Sequence, residues 1–257
     1  MDCKSIAANL FEAEKSRRPI ALITSANPSF GIEEAYRVQL EGVALKVAAG
    51  HKVAGMKIGF TSRAMQELMN VREPDYGHLT DRMMLTEGQA CPMDRVIQPK
   101  VEGELAFCLK KTLKGPGVTI ADVYSATAYV CPSIEVVDSR FPDWQLTMLD
   151  SVADNGSASF FILGGRMTPI ERVDLRLTGM ILEKNGELVN SGCGAEVMGH
   201  PAASVAWLAN KLSEFDIALE AGLIVLSGAL TAALPAAAGD SFTASFTGLG
   251  SVTLRFA

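Results

Sequence analysis

The sequence predicts an α+β fold, helical at its start and β-rich beyond about residue 70. Two segments near the N-terminus, residues 3–17 and 31–49, carry apolar residues at helical spacing; in the second, Ile32, Ala35, Val38, Val43, Leu45 and Val47 form an imperfect stripe. Later segments change period. Val96–Leu109 alternates at period two, and Asn185-Gly186 between two strand-sized runs is a strong signal for a β-hairpin.

Taken in order, the helices at 3–17 and 31–49 have apolar faces that need a core to cover them. Lys52–Ile58 reads as a short strand, and Thr61 or Ser62 is placed to cap a helix from Ser62 to about Met69. Val96–Leu109 follows as a strand. Gly115-Pro-Gly117 is a turn, and Thr119 with Asp122 makes a capping box that opens a helix through about Ala128. A second apolar strand carries Pro132–Val137. After the hairpin, Pro201 sits in the first turn of a helix reaching about Glu214, with Val205, Leu208, Ala209 and Leu212 facing inward. Strands are expected at Leu223–Ser227, Ser241–Phe246 and Ser251–Phe256. No repeat, low-complexity tract or linker divides the chain, so residues 1–257 form one domain, with 1–70 a mostly helical part packed on the β-rich core.

Bulk properties exclude several functions. The net charge of −6 offers no basic stripe for phosphates, which argues against nucleic acid and anionic membrane as partners. No window approaches the roughly 18 apolar residues of a membrane span, and the first residues lack the basic start and apolar run of a secretory signal. Five scattered cysteines without a CxxC pair suit free thiols in a reducing compartment, so a cytoplasmic location is expected.

The chemistry begins with Glu102 and Glu104. On a strand they share a face with Ala106 and Cys108, while Val101, Leu105, Phe107 and Leu109 take the other. Residues two apart on a strand are roughly 6.5–7 Å apart at the backbone, so two glutamate side chains can converge on one ion. Glu135 lies in a second apolar strand. An ionised carboxylate buried there is costly unless something positive meets it. All-oxygen ligation of this kind selects a hard divalent cation, Mg²⁺ or Mn²⁺. The alternative is that these glutamates stand on the wet face of a sheet.

Lys57 is a lone lysine in the apolar run Val53–Gly59. Burial there lowers its pKa unless a carboxylate pairs with it, which makes it a candidate proton shuttle; the alternative is an outward lysine on an edge strand. Asp75, in Glu73-Pro-Asp-Tyr-Gly77, reads as a turn residue. His51, His78 and His200 form no HExxH and read as helix-end or loop residues. No Gly-x-Ser-x-Gly elbow or phosphate loop occurs, and the glycines at 192–194 and 248–250 do not sit between a strand and a helix, which removes zincin, serine-hydrolase and nucleotide-binding readings.

The order Gly55-Met-Lys-Ile-Gly-Phe-Thr-Ser62, Glu73-Pro-Asp-Tyr-Gly77, Pro99-Lys-Val-Glu-Gly-Glu104, Glu135-Val-Val-Asp-Ser-Arg140 and Val152-Ala-Asp-Asn155 resembles the 2-hydroxypenta-2,4-dienoate hydratase and 4-oxalocrotonate decarboxylase group of the fumarylacetoacetate hydrolase superfamily. The likeness runs nearly end to end. It implies a mixed β-roll, a Mg²⁺ or Mn²⁺ site formed by Glu102, Glu104 and Glu135, and acid/base roles for Lys57 and Asp75. Ser157 and Ser159, after Asn155, become candidates for binding the substrate carboxylate. The implied substrate is a small 2-oxo or 2-hydroxydienoic acid, and the implied assembly is a homo-oligomer that can associate with a decarboxylase paralogue. Glu102-Gly-Glu-Leu-Ala-Phe107 and Leu219–Gly228 look more like hydratases, so the expected reaction is addition of water to a 2-hydroxy-2,4-dienoate in meta-cleavage catabolism of aromatic compounds. Gly164-Gly-Arg-Met167 and Gly199-His-Pro201 also occur in decarboxylase-like members, which keeps 2-oxo acid decarboxylation as the alternative. A non-catalytic partner subunit is the reading from another class, and retention of Lys57 and Asp75 argues against it.

Overall fold

A computed structural model describes residues 2–257. Asp2 caps α1 (Cys3–Ser16), accepting from the amides of Lys4 and Ser5. The short α2 (Ile23–Ala26) leads to α3 (Ile32–Ala48), which packs on α1 through Ala7, Leu10, Ala35 and Val38, with Lys46 near the end of α3 bonded to Glu14 near the end of α1. β1 (Val53–Gly59) follows, then α4 (Arg63–Leu68), capped by the Ser62 hydroxyl. Next come β2 (Asp75–Thr80), β3 (Met84–Leu85) and β4 (Lys100–Leu109). The expected strand thus starts at Lys100 rather than Val96, because Pro99 has no amide hydrogen for a ladder.

The capping box of Thr119 and Asp122 opens α5 (Ile120–Ala126), two residues shorter than expected, and β5 (Thr127–Val137) carries Glu135. α6 (Met148–Ala153) and β6 (Ala158–Leu163) come next, both absent from the sequence reading. The hairpin at Asn185-Gly186 joins β7 (Gly179–Lys184) to β8 (Glu187–Cys193), with both turn residues at positive φ. α7 (Pro201–Leu212), β9 (Ile224–Ala229), the two-residue β10 (Leu234–Pro235), β11 (Ser241–Phe246) and β12 (Gly250–Arg255) complete the chain.

The strands form two sheets. The larger runs β2-β1-β9-β4-β5-β6-β3, with β10 added beside β4; the smaller runs β12-β11-β7-β8. β2 from one end of the large sheet approaches β6 near the other, so the sheet curls into a roll. One face of β4 and β5, carrying Val101, Leu105, Phe107, Ile134 and Val136, is sealed by Met180, Leu182, Phe242 and Ala244 of the small sheet. This apolar core continues into α1 and α3. The opposite face looks into the roll, where Leu79, Ala106, Cys131, Phe161 and Leu226 make a second apolar cluster below the carboxylates. Period-two alternation therefore decides that Glu102 and Glu104 point into the roll and not into the inter-sheet core.

Buried polar groups lock the loop between β5 and β6. The Arg140 guanidinium pairs with Asp154 and also donates to the backbone oxygens of Asp138 and Asp154, while Asp138 accepts from the amides of Ile97 and Gln98. The Asn155 side chain pairs with both backbone groups of His78, taking the place of a neighbouring strand at the free edge of β2. Gln39 of α3 donates to the backbone oxygens of Tyr76 and Val152, and Tyr36 stacks on Tyr76 with ring centroids 4.6 Å apart. Among the described residues no helix is long and apolar enough to cross a membrane, and all five cysteines are free.

Candidate active site

The three glutamates meet. Glu102 and Glu135 are direct partners across the β4–β5 ladder, Glu104 lies two residues along β4, and one oxygen of each lies within 4.8 Å of the other two. Glu104 and Glu135 are fully buried and Glu102 is half-buried. The Gly228 amide donates to Glu104 Oε2 at 2.8 Å. Glu104 Oε1 and both oxygens of Glu135 have no hydrogen-bond partner. Wet-face placement is thereby excluded, and the donor set is all carboxylate oxygen, at separations that suit one hard divalent cation.

Lys57 sits on an interior strand, between β2 and β9, and is 3% exposed. Its Nζ is 3.5 Å from Glu135 Oε1, close enough for an ion pair but without hydrogen-bond geometry. The condition that would spare Lys57 a lowered pKa, a carboxylate partner, is met by Glu135. Burial does pull Lys57 down, yet Glu135, Asp75, Glu102 and Glu104 together raise it above the ordinary lysine value. The carboxylates move the same way. Burial raises Glu135 to about 7 against the opposing pull of Lys57, and burial with the neighbouring Glu135 and Glu102 raises Glu104 well above the carboxylate range.

Asp75 is not in a turn. It is the first residue of β2, 1% exposed and opposite Gly59 of β1, and it points into the roll beside Lys57. The Ser151 hydroxyl donates to its Oδ2 at 2.8 Å, while Oδ1 lacks a partner. Burial raises its pKa, with Lys57 and Ser151 opposing. Gly59 makes this possible: a Cβ there would lie 2.1 Å from Asp75 Oδ1. Gly228 does the same for the helix entry, at φ +105° with Thr61 Oγ1 2.3 Å from where its Cβ would stand.

These groups open onto a cavity of about 470 Å³ lined by Lys57, Asp75, Glu102, Ser151 and Ser157, and closed on other sides by α4, Trp144 and residues 229–233. Ser157 is buried there, its hydroxyl donating to Asp154 Oδ2. Ser159 is half-buried on β6 and does not line the cavity, so the structure separates the two serines. His51 and His200 stand at helix ends as expected, but His78 is a buried strand residue of β2 and lies outside the cavity lining. The sequence reading missed Ser151 and Lys100. The capping box Thr147-x-x-Asp150, which starts α6, was the signal available for the segment holding Ser151.

A curled mixed sheet with a carboxylate cluster on its inner face defines a class of β-rolls, and comparison with known proteins places the chain in one family of them. Residues 48–257 match the model of the fumarylacetoacetate hydrolase C-terminal family, and the chain belongs to that family. It is 45% identical over 249 residues to 2-hydroxyhexa-2,4-dienoate hydratase of Comamonas testosteroni, covering 96% of this chain and 94% of that one. It is 47% identical over 210 residues to 2-hydroxypent-2,4-dienoate hydratase of Pseudomonas putida, covering 81% and 95%. Among solved structures it is similar to 4-oxalocrotonate decarboxylase from Pseudomonas putida G7 complexed with magnesium and adipate, with 42% identity, a TM-score of 0.97, and 99% and 97% of the two chains covered. These relatives agree with the mixed β-roll and the hydratase–decarboxylase group expected from the motifs.

Proposed function

We propose that this chain is a hydro-lyase that adds water to a 2-hydroxy-2,4-dienoate, with Glu102, Glu104 and Glu135 holding Mg²⁺ or Mn²⁺. The observation that carries the reading is the set of orphaned, buried oxygens of Glu104 and Glu135 clustered with Glu102, which lines one cavity together with Lys57 and Asp75. Four acidic side chains facing one ammonium are costly to bury without further positive charge. When bound, a divalent ion supplies Lewis-acid stabilisation of negative charge on the C2 oxygen of a 2-oxo acid.

The residues of the chain account for the proton movements. In the first stage the C2 hydroxyl loses its proton and C5 gains one, converting the dienol to a 2-oxo-3-enoate; Lys57, as its ammonium, delivers a proton to C5 and takes up the one released from the C2 hydroxyl. In the second, the oxygen of water bonds to C4 and its proton ends on C3, giving a 4-hydroxy-2-oxo acid. Asp75, raised by burial and steered by Ser151, takes the proton from that water and returns it. With the carboxylates neutralised, the field that raises Lys57 would weaken and burial would pull its pKa down.

Incubating the purified protein with Mg²⁺ and 2-hydroxypenta-2,4-dienoate tests this directly: the dienol absorbance falls and 4-hydroxy-2-oxopentanoate accumulates. The decarboxylase reading draws on the 0.97 TM-score match, and CO₂ released from an unsaturated dicarboxylic 2-oxo acid would establish it instead. Absence of turnover on both substrates would leave a scaffold role. The homo-oligomer, its assembly with a decarboxylase paralogue and the cytoplasmic location belong to the same proposal; light scattering of the protein alone and mixed with such a paralogue reads the first two.

A further inference from the structure

One wall of the cavity, α4, has a different chemistry. α4 buries none of its residues, yet Ala64, Met65, Leu68 and the following Met69 all line the cavity. Leu68 is 75% exposed. The helix hangs between two residues in the left-handed region, Phe60 at φ 53° and Asn70 at φ 51°, so it is joined to the roll through its ends and not through a packed face. Apolar side chains that support no core and face a binding cavity are placed to meet an apolar ligand. Leu230 and Leu146 extend the same surface.

The charge inventory of the lining narrows the ligand. It contains no arginine. Lys57 is occupied with Glu135, and Glu196 at the exposed rim is negative. Lys100 holds its ammonium over the Trp144 ring, 4.4 Å from the centroid, on the same β4 face as Glu102. α4 itself puts no basic side chain into the lining, so a second carboxylate against this wall would meet methionine and leucine.

Resting on the hydratase reading, we propose that α4 is the tail-binding wall and that the substrate is a monocarboxylic 2-hydroxydienoate ending in hydrogen or a short alkyl group, not in a second carboxylate. The test compares kcat/KM with Mg²⁺ for the five-carbon dienoate, its methyl-extended homologue and a homologue ending in a carboxylate. The methyl homologue is favoured about 4-fold over the parent, the worth of one buried methylene, and the carboxylate homologue falls at least about 30-fold below it. In a Met65→Ser/Leu68→Ser variant the ratio of methyl homologue to parent collapses to about 1, and in Leu68→Lys the carboxylate homologue gains about 10-fold or more. Because α4 has no buried residue, neither variant shifts Tm by more than about 2 °C.

A binding readout separates this proposal from the reaction it rests on. Calorimetry with Mg²⁺ present is expected to find 2-oxohexanoate bound at least about 30-fold tighter than 2-oxoadipate, with the preference erased in Met65→Ser/Leu68→Ser. That result without turnover of any dienoate would overturn the hydratase reading and retain the tail assignment. Equal or tighter binding of 2-oxoadipate, or equal loss on all three dienoates in the double variant, would overturn the tail assignment whatever the reaction.

Discussion

Replacing Glu104 by Gln separates the cost of the carboxylate cluster from its use. Glu104 Oε2 accepts from the Gly228 amide and Oε1 has no partner, so a glutamine can keep the first bond through its carbonyl oxygen and turn its NH₂ toward the neighbouring glutamates. The variant copies the protonated form of Glu104 and leaves the ladder between β4 and β5 intact. Without metal it should be more stable than the wild type. Two unit charges 4.8 Å apart repel by about 3.5 kcal/mol at an effective dielectric of about 20. Protonating an ordinary carboxyl at pH 7 costs about 3.5 kcal/mol, which caps what the wild type forfeits by carrying this group. With Lys57 compensating part of the repulsion, the gain is about 1–3 kcal/mol, or roughly 3–10 °C in Tm for a chain of this length.

Added Mg²⁺ should reverse the order. An ion at about 100 times its Kd stabilises the wild type by about 2.7 kcal/mol, whereas Glu104→Gln, lacking one ligand, should shift by less than about 1 °C and lose metal-dependent turnover. Differential scanning calorimetry in EDTA and in excess Mg²⁺ reads all four states. A variant less stable than the wild type in EDTA would refute the electrostatic account, and a full Mg²⁺ response in the variant would remove Glu104 from the ligand set.

Three further outcomes follow from the same geometry. Gly59→Ala sets a Cβ against Asp75 Oδ1, so kcat should fall about 100-fold or more while the Mg²⁺ response of Tm survives; loss of the Mg²⁺ response would mean the damage reaches the glutamates. Because burial raises Glu135 to about 7, and the ligands must be deprotonated to hold a cation, Mg²⁺ affinity should fall as pH drops below about 7 with proton release on binding, and titrations in buffers of different ionisation enthalpy measure it; affinity flat from pH 5 to 8 would contradict the shift. Burial lowers His78 to about 4, so between pH 6.5 and 4 the unfolded chain takes up a proton that the folded chain refuses; stability falls over that window by up to about 3 kcal/mol and is unaffected by this group above it. Urea unfolding of wild type and His78→Gln across that range should show a shallower slope in the variant, and parallel slopes would exclude His78 as the source.

The parts of the site legible in the sequence are those fixed by local period. Glu102 and Glu104 share a face because strand residues alternate, and two residues on one strand need no knowledge of the fold. That Glu135 stands directly opposite Glu102 is a matter of register, set by which strands pair and where; the same residue shifted by one rung would face the small sheet. Asp75 shows the limit most sharply. Glu73-Pro74-Asp75 has the composition of a turn, and Gly77 weakens any strand reading, yet β2 forms because β1 supplies a ladder on one side and the Asn155 side chain satisfies His78 on the other. Those partners are distant in sequence, so local propensity had no access to them.

The sign of the Lys57 shift makes the same point in energetic terms. A lysine in an apolar strand is predicted to lose affinity for its proton when burial is the only influence. In the fold, β2 on one side of β1 brings Asp75, and the row through β9 to β4 and β5 on the other brings Glu135, Glu102 and Glu104 around it, and four attractions outweigh one desolvation. The number of carboxylates facing the ammonium, rather than the character of its own strand, decides its charge. A cation held by three of them would draw on the same field, so the lysine and the three glutamates form one electrostatic unit: whatever neutralised the glutamates would also weaken the hold on the proton of Lys57.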